Sequence, residues 1–435
     1  MQMEFFGLKE IRSSLVIIDK IHDAAFDDIV EVKTPSGPPR IGRIIHLYGD
    51  TAVILVFEGA RGLTSDSTSV RLTGRPLQMP LSEEILGREF DGLARPKDGL
   101  GAVFSKTSKP IENTPINPTH RIYPRNYIHT GFSAIDGLIT LIRGQKLPIF
   151  SADGLPHNQL AAKIATQATI ADEKFAVVFA AMGINHATAE FFRNTFIESG
   201  QYERTVMFLN MADDPPTERI ATPRFALTAA EYLAYTHDYH VLVILTDMTA
   251  YAEALREISS ARDEIPGRKG FPGYMYSDLA SIYERAGIHA GKRGSITQIP
   301  ILTMPAEDIT HPIPDLTGYI TEGQIVLDRA LHKKGIFPPI NVLPSLSRLM
   351  KDGIGEGFTT KEHPGIAAKL FAAYAEVGDA RALSSVIGEE DLSEKDRNLL
   401  EFGKKFEQEF LNQKNPRSMN ETLALAQTLF GGSPL

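Results

Sequence analysis

Residues 149–170, IFSADGLPHNQLAAKIATQATI, decide the fold: an apolar run from Leu147 to Phe150 breaks at a glycine-bearing turn and reopens as a helical segment. A strand–turn–helix step of this kind is where a phosphate-binding loop belongs. Laid over Ser151 to Asn158, the pattern G-x-x-x-x-G-K-[ST] keeps its frame and loses its chemistry: the second glycine is Pro156, the lysine is His157 and the hydroxyl is Asn158. Proline has no N–H to offer a phosphate. Histidine is shorter than lysine and mostly neutral at pH 7, so the charge facing a β/γ-phosphate is largely gone. Asp153 adds a negative charge where a polyanion would sit. Backbone donors at Gly154 and at the helix N-terminus could still hold a phosphate or sulfate. Taken alone, the segment is better read as an ordinary strand–turn–helix connection.

Working outward, a chain of 435 residues predicts two to four domains and a large buried core. Hydrophobic residues make up 43% and charged residues 23%, an ordinary globular composition. A net charge of −9 excludes a general nucleic-acid binder, whose footprint would be basic. No apolar run approaches the ~18–20 residues of a membrane span, and the start, MQMEFFGLKEIRSS, lacks a secretory apolar region. With zero Cys, disulfides, cysteine zinc sites and thiol catalysis are excluded. The twelve His are scattered, and no metal site is expected. These totals predict a soluble, cytoplasmic, multidomain protein.

Residues 1–75 read as β-rich: Leu15–Ile18, Ile29–Val32, Ile41–His46 and Ala52–Phe57 are separated by turn signals such as Tyr48-Gly49-Asp50. Short strands at this spacing predict a small barrel or sandwich. The Pro/Gly-rich stretch from residue 76 to about 125 reads as a connecting region with few regular elements. Beyond it, apolar runs at Phe175–Ala181, Thr205–Met211, Val241–Leu245 and Ile299–Leu302 alternate with helix-like segments at 158–171, 187–199, 217–236, 250–262 and 275–287. That alternation predicts a mainly parallel sheet covered on both faces. After Pro344 the strand signal disappears, and His363–Val377, Ser393–Leu411 and 419–430 read as helices. Ser393-x-x-Asp396 reads as a capping box, with Leu399, Phe402, Phe406 and Phe410 following at helical spacing. The expected order is a β-barrel over 1–75, an α/β domain of P-loop type over 76–345 and a C-terminal helical bundle over 346–435.

Two further positions bear on chemistry. Val241 to Asp247 is an apolar strand ending in an acid; Asp247 could hold a magnesium-bound water at the carboxyl end of a buried strand, or cap the helix that begins near Ala250. A catalytic ATPase also needs a carboxylate ending the strand after the loop helix. Here that strand ends in Gly183, and the next acid, Glu190, reads as a solvated helix residue.

The segment Pro338-Pro339-Ile340-Asn341-Val342-Leu343-Pro344-Ser345-Leu346-Ser347-Arg348 fits P-[SAP]-[LIV]-[DNH]-x-x-x-S-x-S at every position. That is the signature of the rotary ATPase α/β superfamily. With Asp247-Met248-Thr249-Ala250-Tyr251 and the Gly-Leu-Pro-His-Asn loop, the chain closely resembles the noncatalytic B branch of V/A-type rotary ATPases, from barrel to last helix. The resemblance implies a regulatory subunit of an ATP-driven proton or sodium pump or synthase. Three such chains would alternate with three catalytic A chains around a central rotor shaft, in contact with peripheral stalk subunits and peripheral to the membrane without direct insertion. It implies that Arg348 is an arginine finger reaching in trans to the neighbouring A chain, where ATP or ADP sits at the interface and the partner holds the magnesium. Gly154, Leu155, Pro156, His157, Asn158 and Asp247 would form a degenerate nucleotide loop of weak affinity. The loop Ile265–Gly273 would lie beside the rotor shaft; the acidic Gly388–Asp391 could face the rotor too or be a solvated charge run. Two other readings share this core: a self-sufficient hexameric ATPase, opposed by Pro156, His157, Asn158 and Gly183, and a silent scaffold, opposed by Arg348.

Overall fold

Strands with alternating burial open the chain. In the computed structural model, which describes residues 4–35, 37–113, 115–123, 125–170 and 173–430, the first of them are β1 (Glu4–Phe6), β2 (Glu10–Arg12), β3 (Leu15–Ile18), β4 (Ile29–Lys33), β5 (Arg40–Tyr48), β6 (Thr51–Val56) and β7 (Ser69–Leu72). They pair antiparallel in the order β1-β7-β4-β5-β6-β3-β2 and curl into an N-terminal barrel around Val16, Ile18, Val30, Ile44, Ile54 and Val70. Side chains of the opposite parity, among them Leu15, Ile29, Ile45 and Leu55, face the next domain and join its core. Thr217 secures the joint by donating its hydroxyl to the Phe57 carbonyl at 2.5 Å.

The connecting region carries β8 (Gln78–Leu81), β9 (Glu89–Asp91), β10 (Thr107–Pro110) and β11 (Arg121–Ile122). The central sheet adds β12 (Ile149–Ser151), β13 (Phe175–Ile184), β14 (Thr205–Met211), β15 (His240–Thr246), β16 (Gly287–His289), β17 (Ser295–Thr303), β18 (Gly323–Leu327) and β19 (Ile340–Ser347). Among the described residues it has ten strands, with the path β19-β18-β12-β17-β15-β13-β14-β9 and the β11–β16 pair attached to β17. From β18 to β9 along this path all pairs are parallel; β19 runs antiparallel on the edge. Contrary to the expectation of a plain connector, β9 belongs to this sheet, beside β14.

The helices are α1 (Ser133–Leu138), α2 (His157–Gln167), α3 (His186–Glu198), α4 (Pro216–His237), α5 (Met248–Ala261), α6 (Met275–Tyr283), α7 (Pro312–Ile320), α8 (Arg329–Lys333), α9 (Met350–Gly353), α10 (His363–Ile387), α11 (Glu394–Lys405) and α12 (Met419–Thr428). They cover both sheet faces, which is why the strands read as unbroken apolar runs. Along β13, Ala176, Val178, Ala180 and Met182 join the core shared with α4, α5 and the barrel. Val177, Phe179 and Ala181 join the core shared with α2, α3 and the C-terminal helices.

In the bundle Phe402, Phe406 and Phe410 stack with centroids 5.9 and 5.3 Å apart, as their spacing predicts. Helix α10 runs ten residues past Val377, to Ile387. Gly403 of α11 lets that helix close on α10 at Val377; a Cβ on Gly403 would lie 2.5 Å from Val377 Cγ1. Ser393 caps α11 through the Asp396 N–H, while the reciprocal capping box forms instead at Ser418 and Glu421, opening α12. Strand β19 continues beyond Pro344 to Ser347 because that proline lies in an irregularity of an edge strand, the place a sheet tolerates it.

At the seam between barrel and core, Arg95 meets Asp91 at 2.6 Å, Glu218 at 3.1 Å and Glu58 at 3.2 Å. Burial raises the Glu218 carboxyl to about 7; Arg95 pulls it down, and Asp214, Asp91 and Glu58 push it further up. The folded state therefore holds a proton that the unfolded chain releases near pH 4.3. That contribution to stability is complete below about pH 4.3 and is lost as pH rises through 7. We expect Glu218→Gln to be more stable than wild type by about 1–3 kcal/mol at pH 8, the gap narrowing toward pH 4.5, in denaturation midpoints measured across pH.

Candidate functional site

Parallel strands end together, so β12, β17 and β15 deliver Ser151, Thr303 and Asp247 to one rim of the sheet. The turn from β12 into α2 lies there, with Asp153 and Gly154 exposed and Gly154 at φ +76°. Two of its N–H groups are spent within the chain. The Leu155 N–H donates to the Ala152 carbonyl at 3.1 Å, the His157 N–H to the Leu155 carbonyl at 2.9 Å, and Pro156 has none. His157 Nδ1 lies 3.0 Å from Ser151 Oγ. Burial holds the imidazole below its ordinary value against the pull of Asp247 and Asp153, so it is neutral at pH 7. Asn158 sits half-buried in the first turn of α2.

Asp247 caps α5, accepting the Thr249 N–H at 2.7 Å, and also accepts the Thr303 N–H at 3.2 Å and hydroxyl at 2.5 Å. The cap that the sequence offered is formed. Arg329, which no local motif pointed to, donates Nη2 to the Asp153 carbonyl at 2.6 Å and pairs with Glu307 at 2.5 Å. Around the turn stand three carboxylates, Asp153, Asp247 and Glu307, against one guanidinium. This set does not fit a magnesium–nucleoside triphosphate: two N–H groups are spent internally, Pro156 has none, the lysine is absent and the local charge is unfavourable.

At the end of β13, Gly183 adopts φ +69°, and a Cβ there would lie 3.0 Å from Ala250 Cβ and 3.1 Å from Arg219 Nε. Arg219 is held by Asn210 Oδ1 at 2.8 Å and the Met211 carbonyl at 3.0 Å. A guanidinium therefore covers the position where a hydrolytic carboxylate would project. Glu190 is exposed and pairs with Arg193 one turn along α3.

Arg348 lies elsewhere. Strand β19 runs antiparallel to β18, with Ile340 opposite Leu327 and Ser347 opposite Gly323, so Arg348 emerges at the rim opposite the α2 turn. The length of β18 separates the two rims, roughly 13 Å. The signature serines anchor this end. Ser345 accepts the Val326 N–H at 2.9 Å and donates to the Asn341 carbonyl at 2.5 Å, and Ser347 donates to the Thr140 carbonyl at 2.9 Å. The Arg348 N–H donates to the Glu322 carbonyl at 3.0 Å. Its side chain is exposed, and among the described residues the guanidinium has no hydrogen-bond or ion-pair partner. The structure thus brings Gly154–Asn158 and Asp247 together and keeps Arg348 apart from them.

A barrel, a doubly covered parallel sheet with a degenerate phosphate-binding turn, and a helical bundle define a divergent member of the P-loop-type α/β class. Residues 131–347 match the ATP synthase alpha/beta family, nucleotide-binding domain; residues 10–74 match the beta-barrel domain of the same family, and residues 352–432 the C-terminal domain of V and A type ATP synthase. The V-type ATP synthase beta chain of Halothermothrix orenii is 58% identical over 99% of this chain and 94% of its own length. The V-type ATP synthase beta chain 2 of Clostridium tetani is 57% identical over 98% of this chain and 94% of its own length. The structure of ATP synthase subunit NeqB from Nanoarcheaum equitans superposes with a TM-score of 0.76 at 36% identity, covering 97% of this chain and 100% of that one. The chain belongs to the ATP synthase alpha/beta family, in the branch of V- and A-type beta chains. Among the described residues no helix is long and apolar enough to cross a membrane.

Gly183→Ala must place a side chain at positive φ against Ala250 and Arg219. We expect a loss of about 1–3 kcal/mol, read as a lowered chemical-denaturation midpoint of the isolated chain.

Proposed function

We propose that this chain is the noncatalytic, regulatory subunit of a V/A-type rotary ATPase and supplies Arg348 in trans to nucleotide bound on a neighbouring catalytic A chain. The observation that carries the reading is the placement of Arg348: an anchored backbone, a free guanidinium, and a rim of the sheet its own α2 turn does not reach. A guanidinium is permanently charged, planar and forked, so it can clamp oxygens of a transferring γ-phosphoryl group. An in-trans finger is worth roughly 10³–10⁵ in rate, about 4–7 kcal/mol of barrier.

The α2 turn, without its lysine and with two N–H groups spent internally, supports leaving the magnesium and the attacking water to the partner. Three B chains alternate with three A chains around a rotor shaft, and opening and closing of the A/B interfaces couples chemistry to rotation. The V-type names of the relatives and the V and A type match of the C-terminal domain support this assembly, peripheral to the membrane on its cytoplasmic side. The loop before α6 suits a rotor-facing collar: Ile265 is 90% exposed, while Arg268 and Lys269 are tied to Asp315 and Asp308 at 3.0 and 3.2 Å.

In the complex reconstituted with the A chain, Arg348→Ala leaves the ring assembled by size-exclusion chromatography, lowers kcat about 10³-fold and leaves KM for ATP nearly unchanged. Normal turnover by this variant overturns the finger. The isolated chain releases no phosphate from ATP; steady hydrolysis without a partner favours the self-sufficient motor instead.

A further inference from the structure

Lys146 is a buried cation that the α2 turn does not use. Its side chain is 3% exposed, and its ammonium lies 2.9 Å from Glu322 Oε1 and 2.7 Å from Glu284 Oε1. The same lysine donates its backbone N–H to Glu322 Oε2 at 2.8 Å and accepts the Glu322 N–H on its carbonyl at 3.0 Å. Glu322 is therefore held at both carboxylate oxygens and at its backbone. Its remaining group, the carbonyl, accepts the Arg348 N–H at 3.0 Å and Gln145 Nε2 at 2.9 Å. Gln145 Nε2 also meets Ser347 Oγ at 3.0 Å.

We propose that Lys146 is a positioning residue for Arg348: it clamps Glu322, the shelf on which the Arg348 backbone rests, and ties that shelf to Glu284. The proposal rests on the reading of Arg348 as a finger. The Glu322 carbonyl carries the last backbone rung before Arg348, just beyond the Gly323–Ser347 pair. A shift of that rung moves the whole guanidinium, and a displacement of about 1 Å in a catalytic group can cost on the order of 10²-fold in rate. Glu284 directly follows α6 and is fixed on its far side by Arg121, whose Nη2 lies 3.0 Å from Glu284 Oε2 and 2.9 Å from the Glu284 carbonyl. The end of α6 and the finger shelf thus share one ammonium. Lysine suits this place because a compact point charge serves two carboxylates at once.

The test uses the complex with the A chain. Lys146→Met is expected to assemble and to lower kcat about 10–100-fold with KM for ATP unchanged. In an Arg348→Lys background, adding Lys146→Met changes kcat less than twofold, because the residue it positions is already altered. A full independent loss in that double variant, or wild-type kcat for Lys146→Met beside an inactive Arg348→Ala, overturns the positioning role and leaves the finger standing. Wild-type turnover in Arg348→Ala overturns both. Where Lys146→Met does not assemble, Glu284→Gln breaks one arm and leaves the Lys146–Glu322 pair; a several-fold fall in kcat at constant KM supports the proposal, and unchanged kcat overturns it.

Discussion

The antiparallel return of β19 along the edge of an otherwise parallel path governs what this molecule can do. Parallel strands gather their carboxyl ends on one rim, and ligands of open α/β sheets are bound there. Strand β19 starts on that rim and carries the chain back to the other, so the signature segment ends on Arg348 far from the α2 turn. The two features that suggest phosphate chemistry are held apart by the same hydrogen bonds that build the sheet edge. No side-chain rotation closes a gap of one strand length, because the Ser345, Ser347 and Glu322 contacts fix the backbone on which Arg348 is mounted. A free guanidinium on such a mount is presented away from the chain's own α2 turn.

The α2 turn shows how a binding loop becomes a structural joint. A polyphosphate site needs donors left unpaired in the free protein, and such groups are costly unless ligand or water meets them. Here the chain meets part of that need itself: carbonyls of Ala152 and Leu155 take two N–H groups, Thr303 and Thr249 occupy Asp247, and Ser151 faces His157. The neutral imidazole follows from burial, and the surrounding carboxylates give a phosphate no reason to enter. The shape persists because the β12–α2 step still seats Leu155 and Leu160 in the core beneath.

What was legible in the sequence was what local pattern dictates. Alternation in the first domain and unbroken apolar runs in the second follow from one-sided and two-sided burial, and the phenylalanines stacked from Phe402 of α11 through Phe410 follow from helical spacing. The residues that escaped reading depend on distant partners. Strand β9 is Glu-Phe-Asp, and no hydropathy rule buries two acids; Arg193 and Arg95 make it possible by pairing with Glu89 and Asp91. Arg219 over Gly183, Arg329 at the turn and Lys146 beneath Arg348 are ordinary surface-type residues until the fold places a carbonyl or carboxylate beside them. Asp247 was legible as a rim residue that could cap α5, while its bond to Thr303, 56 residues away, was not.

The proposed division of labour is also protected against reversal by single substitutions. Restoring a hydrolytic acid at position 183 requires a side chain at positive φ, in space taken by Ala250 and under a guanidinium that would pair with it. Pairing would hold such a carboxylate in its charged form and turn it away from water, so the acid would be present without being placed to polarise a nucleophile. Restoring the lysine alone would set it among Asp153, Asp247 and Glu307, which would compete with phosphate for its charge. Recovering activity needs the backbone of the β13 end, Arg219 and the α2 turn to change together, whereas presenting Arg348 needs only the sheet edge to stay as it is. A fold in which one rim lacks the lysine of a phosphate loop and the other offers an unpaired cation is consistent with the proposed action on a neighbour's substrate.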